Sequence, residues 1–439
     1  MENILKAQLA KRHEPVRIAV LGAGWFGRGF IRELRHWPNM ETRCVFEYDT
    51  AKALEVLTKL GLTAESRCVV HTAEEFRRAA RDNKIIVTDQ TALMEELGGF
   101  VDLVFDASGD VLSGTKAALS AIEQKVHFLT VSAEMDATIG AVLNRKAQAA
   151  GIVYSNSDGD QPGVLARMIQ DVEAMGFEVA VAGNGKGFLD YHVTPEDIMR
   201  FVRPGDSPRK ITSFTDGTKQ GMELAVVANA TGFPPDIRGM HGIKTTPENL
   251  VDDLMGRVSR DGVVDYVMGS ERNLGMTLFV IGKRNAAYAQ DDLEYLRRGK
   301  GPYYLFFRDY HLCYFETPKS VADIVLSGMP TIAPKGLTAD VITVAKQDLK
   351  LGDRLDGIGG FTSYGLIDKY DVVLKENFLP FGLSEYARMR RPVKCDTPIT
   401  YDMVDLPDDH PVCRLRQEQD TFAGGIHEGK IPTEKAGRP

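Results

Sequence analysis

The segment that most constrains the fold is Val16-Arg-Ile-Ala-Val-Leu-Gly-Ala-Gly-Trp-Phe-Gly-Arg-Gly-Phe30, where a short β-branched apolar run breaks into glycines and then continues with helical spacing. Gly22, Gly24 and Gly27 fall in the G-x-G-x-x-G register of a dinucleotide-binding turn. The first permits the tight turn, the second admits a pyrophosphate against the backbone, and the third lets helix and strand pack closely. A helix from about Trp25 onward, including Phe26, would aim its free N–H groups and positive dipole end at the phosphates.

In a chain with 42 glycines the motif needs context, and the context agrees. A second apolar strand over residues 43–49 ends in acids about twenty residues on, where a ribose-binding carboxylate belongs, and either Glu47 or Asp49 fits. A third strand, 100–109, ends in Ala107, Ser108 and Gly109. A helical pattern over 116–124 and a fourth strand over 127–132, ending in Ser132, follow. Strand and helix alternate as a parallel doubly wound sheet requires, and these strand ends are the expected cofactor contacts. Residues 50–99 insert two helical patterns and a short strand over 84–88.

A chain of 439 residues suggests two or three domains. The expected class is α/β: a Rossmann dinucleotide-binding domain over 1–157, a central α/β catalytic and oligomerisation domain over 158–333, a mostly-β module over 334–425, and a disordered tail over 426–439. The formal charge of -8 argues against nucleic acid or an anionic membrane as partner, so an anionic substrate must be held by local cations. Cys44, Cys68, Cys313, Cys395 and Cys413 are odd in number and form no C-x-x-C pair, signalling neither a disulfide framework nor a zinc site. The charged first fifteen residues and the lack of any long apolar run lead to the expectation of a soluble protein, and the cysteines to that of a reducing cytoplasm; a homo-oligomer, dimer or tetramer, is expected as well.

Candidate chemistry sits in the second third. A strand from residue 152 runs into Asp158 and Asp160, candidate ligands for a divalent cation, and then into an amphipathic helix over 164–175. A strand over 177–182 delivers Gly183-Asn-Gly-Lys-Gly187, a loop in which flanking glycines would let ligand reach Asn184 and Lys186. From about Gly217 a helix apolar on most faces carries Lys219, Glu223 and Asn229, with Asp216 just before it. Lys219 and Glu223 are four residues apart and share a face. Charges entering a buried helix are costly unless they serve a ligand. Arg238 and His241, on a following loop, are candidate phosphate or carboxylate contacts.

This order of parts resembles homoserine dehydrogenase, whose Asp–Lys helical pair appears here in reversed order as Lys219 and Glu223, and whose Thr-Ala-Asn-Lys segment reads Val131-Ser-Ala-Glu-Met-Asp136. The chain is more similar, over nearly its whole length, to the deoxyxylulose-phosphate reductoisomerase-like branch related to that family. Residues 336–353, 379–383 and 398–404 resemble a SAF domain, a small β-clip module. The resemblance implies rearrangement of a phosphorylated keto sugar followed by hydride transfer from a nicotinamide, with Lys186, Lys219 and Arg238 on the phosphate and Lys219 with Glu223 as acid–base pair. It implies NADPH, whereas carboxylates at Glu47 and Asp49 favour a free ribose hydroxyl and NADH; NADPH is the expectation carried forward. Oxidation of a sugar acid, or a non-catalytic nucleotide-binding role, are the alternatives.

Overall fold

The structure, a computed structural model, describes residues 3–203, 207–269, 274–285 and 287–426. The tail expected over 426–439 therefore lies outside the described residues, apart from Ile426. No described helix is long and apolar enough to cross a membrane.

Seven strands, β1 (Val16–Leu21), β2 (Met40–Phe46), β3 (Arg67–Val69), β4 (Ile85–Thr88), β5 (Leu103–Asp106), β6 (His127–Thr130) and β7 (Tyr154–Asn156), form one sheet in the order β3-β4-β2-β1-β5-β6-β7. All its pairings are parallel. The central strands read as continuous apolar runs because helices cover both faces. The helices of this region are α1 (Ile4–Ala10), α2 (Trp25–Leu34), α3 (Thr50–Lys59), α4 (Ala73–Arg81), α5 (Val111–Glu123) and α6 (Ala133–Ala150). The chain reverses its direction of travel across the sheet at β1, which has β2 on one side and β5 on the other. In open α/β sheets that switch point, at the carboxyl ends of the strands, is where ligands bind.

The central region holds α7 (Gln161–Ala174), β8 (Glu178–Lys186), α8 (Pro208–Thr215), α9 (Thr218–Thr231), β9 (Ile243–Lys244), α10 (Leu250–Met255), β10 (Val263–Met268), β11 (Leu278–Lys283), α11 (Ala287–Tyr295), β12 (Tyr303–Arg308) and α12 (Pro318–Ser327). Its five strands form a mixed sheet in the order β12-β11-β8-β10-β9. The expected glycine loop at 183–187 is not a loop: β8 runs on through Lys186, and the glycines serve packing. A Cβ at Gly183 would lie 2.0 Å from the Asp265 carbonyl oxygen, and one at Gly185 2.0 Å from that of Leu274. Close approach of neighbouring backbone, not access for ligand, selects glycine there.

The C-terminal region contains the antiparallel pair β13 (Ala339–Ala345) and β14 (Ser363–Lys369), then α13 (Tyr370–Lys375), the short pair β15 (Arg388–Met389) and β16 (Val404–Asp405), and α14 (Pro411–Ile426). Apart from a small cluster around Ile342, Tyr364 and Phe378, most of its apolar side chains join cores begun elsewhere. Leu349, Leu379, Met389 and Ile399 share one with Phe76, Phe128 and Ile139. Val341 and Ile367 share another with Leu224 and Val227 of α9. The region carries more helix than its sequence suggests. The buried stripe of α14 includes Arg416 and Gln419 beside Val412 and Leu415, and two polar residues on the inner face hide the helical period.

Candidate functional site

The glycine turn after β1 has the geometry its sequence requires. Gly22 takes φ +90°, and a Cβ there would meet the Ala107 carbonyl oxygen at 2.9 Å; a Cβ on Gly27 would lie 1.9 Å from the Gly22 carbonyl oxygen. Gly24 differs: open space lies in front of it, with nothing within 4 Å of a Cβ. It also caps α2 without any side chain on the first-turn N–H groups. A bare helix N-terminus facing open space fits a dinucleotide pyrophosphate. Replacing Gly24 by alanine should therefore leave the fold intact, since nothing lies within 4 Å of the new Cβ, yet weaken dinucleotide affinity by about tenfold or more. Fluorescence titration with the reduced dinucleotide checks this, and unchanged affinity would mean that the turn is not the binding site.

Of the two acids offered for the ribose, the geometry separates their tasks. The Asp49 carboxylate accepts from the Lys52 N–H and caps α3. Glu47 reaches back to the turn, where its Oε2 accepts from the Ala23 N–H at 2.6 Å and lies 3.6 Å from Lys52 Nζ. Ser108 donates its hydroxyl and N–H to the buried Asp106 carboxylate at 2.7 and 3.0 Å. Ser132 Oγ accepts from the Met135 N–H as the cap of α6. Both serines are thus engaged by protein, while Gly109, at φ +69°, borders open space. Tyr314, in the turn before α12, packs its ring on Trp25 at 5.0 Å and on Phe26 at 6.0 Å. The central region therefore reaches over the start of α2.

Beyond these strand ends lies a buried cluster of charges. Lys219 and Glu223 meet at 3.6 Å along α9, and each is shared: Lys219 Nζ lies 3.2 Å from Glu134 Oε1 in the first turn of α6, and Glu223 Oε2 lies 3.8 Å from Lys186 Nζ at the end of β8. Burial disfavours the Lys219 ammonium, but Glu134, Glu223 and Asp160 outweigh it and its pKa is raised. Lys186 goes the other way. Burial lowers its pKa, Glu223 opposes this only in part, and the Lys219 charge adds to the lowering. Burial raises the pKa of Glu223 against the pull of both lysines. Two lysines facing one carboxylate with pKa values pushed apart form an acid–base arrangement: Lys219 stays charged, and Lys186 can give and take a proton.

Three buried atoms belong to this cluster and have no hydrogen-bond partner among the described residues: Asp160 Oδ2, Glu223 Oε2 and His311 Nε2. His311 Nδ1 faces the Gly159 carbonyl oxygen at 3.1 Å. In a neutral ring that nitrogen must donate, which leaves Nε2 as an acceptor. Behind them Asn184 donates to Gln161 Oε1 and accepts from Gln220 Nε2, a buried amide chain under the lysines.

Several expected site residues are held by other protein groups. Asn184 is held within that chain. Asp216 binds buried Lys346 at 2.9 Å. Asn229 Oδ1 accepts from the N–H groups of Thr338 and Ala339, fixing the entry to β13. Arg238 pairs with Asp368 at 2.5 Å, and His241 with Asp236 at 3.0 Å. Asp158 is neutralised by Arg167 at 3.3 Å and Lys319 at 3.5 Å, so it does not join Asp160 as a cation ligand. Glu134, His311, Gln161, Gln220 and Tyr314 were missed. Only Glu134 left a signal, as an acid just after the fourth strand; the others arrive through long-range folding.

Residues 159–317 match the family described as "Oxidoreductase DRL, catalytic domain", a span that contains Asp160, Lys186, Lys219, Glu223 and His311. In its central region the chain is thus similar to an oxidoreductase catalytic domain. No curated protein matches it in sequence. Among solved structures it is similar to the probable dehydrogenase of Thermotoga maritima at 15% identity, covering 72% of this chain and 90% of that one, with a TM-score of 0.42. It is also similar to the aldose-aldose oxidoreductase of Caulobacter crescentus (13% identity, 73% and 92% covered, TM-score 0.41). A third is the UDP-N-acetylglucosamine 3-dehydrogenase of Acidithiobacillus ferrooxidans (12% identity, 72% and 91% covered, TM-score 0.40).

Proposed function

We propose that the chain is an oxidoreductase acting on an alcohol or carbonyl carbon of a small polyhydroxylated substrate, with Lys186 as the proton-transfer group. The observation that carries the reading is the set of three unpartnered acceptors, Asp160 Oδ2, Glu223 Oε2 and His311 Nε2, beside the two lysines. Buried acceptors need donors, and a row of substrate hydroxyls supplies them. The nicotinamide, when bound, supplies or accepts the hydride, and Gly22, Gly24, Gly27 and Glu47 hold the dinucleotide. As an alcohol is oxidised, its hydroxyl proton passes to Lys186 in its amine form, and the resulting ammonium is stabilised by Glu223; reduction runs the transfer backward. Lys219, fixed as a cation, steadies the negative charge that develops on the substrate oxygen.

The finer reading, which follows the resemblance and the matched catalytic domain, is reductoisomerisation of deoxyxylulose phosphate with NADPH, in which adjacent oxygens exchange alkoxide and carbonyl character between Lys186 and Lys219. A specific observation favours a second reading, oxidation or reduction of an unphosphorylated sugar or sugar acid. Arg238 is engaged by Asp368, and the Lys219 cation is already shared between Glu134 and Glu223. A screen following absorbance of the reduced nicotinamide, with deoxyxylulose phosphate against unphosphorylated sugars and sugar acids, decides between them. Turnover on none of these polyols would sink both.

Glu47 should set dinucleotide preference. Its carboxylate at the turn suits a ribose 2′-hydroxyl and repels a 2′-phosphate. Glu47→Gln removes that repulsion and leaves Lys52 for the phosphate, so the NADPH-to-NADH affinity ratio should rise by about tenfold, a change of roughly 1.4 kcal/mol. Paired titrations with both reduced cofactors measure it.

A further inference from the structure

Away from the proposed active site, His192, Cys395 and Asp396 converge from segments two hundred residues apart, and one ligating atom of each lies within 4.8 Å of the others. His192 follows β8 in the central region, whereas Cys395 and Asp396 precede β16 in the C-terminal one. We propose that these three side chains form a zinc site that clips the two regions together, with water in the fourth position.

The chemistry and the scaffold both support it. A thiolate, an imidazole and a carboxylate are the donor types that zinc takes, and a water completes the tetrahedral set that three protein ligands leave open. His192 Nε2 and Asp396 Oδ1 are 3.3 Å apart, which is about the edge of a tetrahedron with metal–ligand bonds of roughly 2.0–2.1 Å. The Tyr364 hydroxyl donates to Asp396 Oδ1 at 3.0 Å, the kind of outer hydrogen bond that orients a ligating carboxylate. The Tyr364 ring also stacks on Tyr191, with centroids 5.1 Å apart, and meets the His192 ring edge-on at 5.9 Å. Beneath the site, the buried Lys346 ammonium donates to the Val193 carbonyl oxygen at 2.9 Å, to Asp216 at 2.9 Å and to the Gly360 carbonyl oxygen at 3.0 Å. The Cys395 thiol rests 3.2 Å from the Lys346 carbonyl oxygen. Both arms of the clip therefore hang from one fixed lysine, while His192 and Asp396 remain exposed, leaving a path for the ion.

The test uses the full-length protein, stripped with chelator and titrated with Zn²⁺ or Co²⁺. We expect about one Zn²⁺ per chain by equilibrium dialysis, and with Co²⁺ a thiolate charge-transfer band together with tetrahedral d–d bands. Cys395→Ser should abolish the charge-transfer band, and Cys395→Ser and His192→Asn should each weaken Zn²⁺ binding by about tenfold or more. Asp160→Asn, in the charge cluster, should change none of these. Less than about a fifth of an equivalent bound by the wild type, or a cobalt spectrum untouched by Cys395→Ser, would overturn the proposal. Circular dichroism of each variant confirms folding, so that a lost signal reports the ligand and not the fold.

Discussion

Lys186→Met should lower turnover by about 10²–10⁴, the usual worth of general acid–base help, while the protein still folds and binds dinucleotide. Its lowered pKa fixes the sign of the pH dependence. Alcohol oxidation needs the free amine, so the wild-type rate should climb as pH rises through that lowered pKa. Carbonyl reduction needs the ammonium, so its rate should fall over the same interval, and both profiles should flatten in the methionine variant. Glu223→Gln should cost a similar factor, because Glu223 stabilises the charged lysine. Lys219→Met is expected to fail differently: it leaves the Glu134 and Glu223 carboxylates buried without their shared cation, which costs stability as well as rate. Lys186→Met retaining more than about a third of wild-type turnover would remove this lysine from the chemistry.

Arg416→Met should destabilise the protein by about 3–5 kcal/mol, the cost of stranding a buried charge. This guanidinium is 1% exposed. It binds Asp340 of β13 at 2.5 Å and Asp420 at 2.8 Å, and donates to the Thr138 carbonyl oxygen of α6 at 3.3 Å. One side chain thus ties the last helix to α6, beside the seven-stranded sheet, and to the C-terminal strands. Burial already raises the pKa of Asp340, although Arg416 opposes it. A carboxyl group whose folded pKa lies above its unfolded value favours the folded state at low pH and loses that contribution as pH rises through the folded value. The deficit of Arg416→Met should therefore shrink as pH is lowered. Arg390→Met is the control: its pair with Asp405 has both side chains more than half exposed, and its loss should cost under about 1 kcal/mol. Chemical denaturation of both variants at two pH values measures the contrast, and equal small losses would show that the buried pair is not a tie.

Much of the fold was legible because its signals are local. The glycine spacing after β1 is a demand on backbone dihedrals and close approach, and it holds whatever the rest of the chain does. The alternation of apolar strands and amphipathic helices announces a parallel sheet with both faces covered, and Lys219 with Glu223 had to share a face because the helical repeat is geometry. By itself, then, the sequence determined the glycine turn after β1, the doubly wound sheet and one charged pair on a buried helix. Tertiary structure decided the rest. It gave Glu223 a second lysine from β8, set Glu134 of α6 against Lys219, and brought in His311. It engaged Asp216, Asn229, Arg238 and His241 with partners dozens to more than a hundred residues away, His241 with one only five residues off, and ran the supposed glycine loop into the middle of a sheet. The physical reason is that a charge or amide entering the interior must find a compensating group. Which group it finds depends on the elements packed against it, and the spacing of neighbours along the chain does not record that.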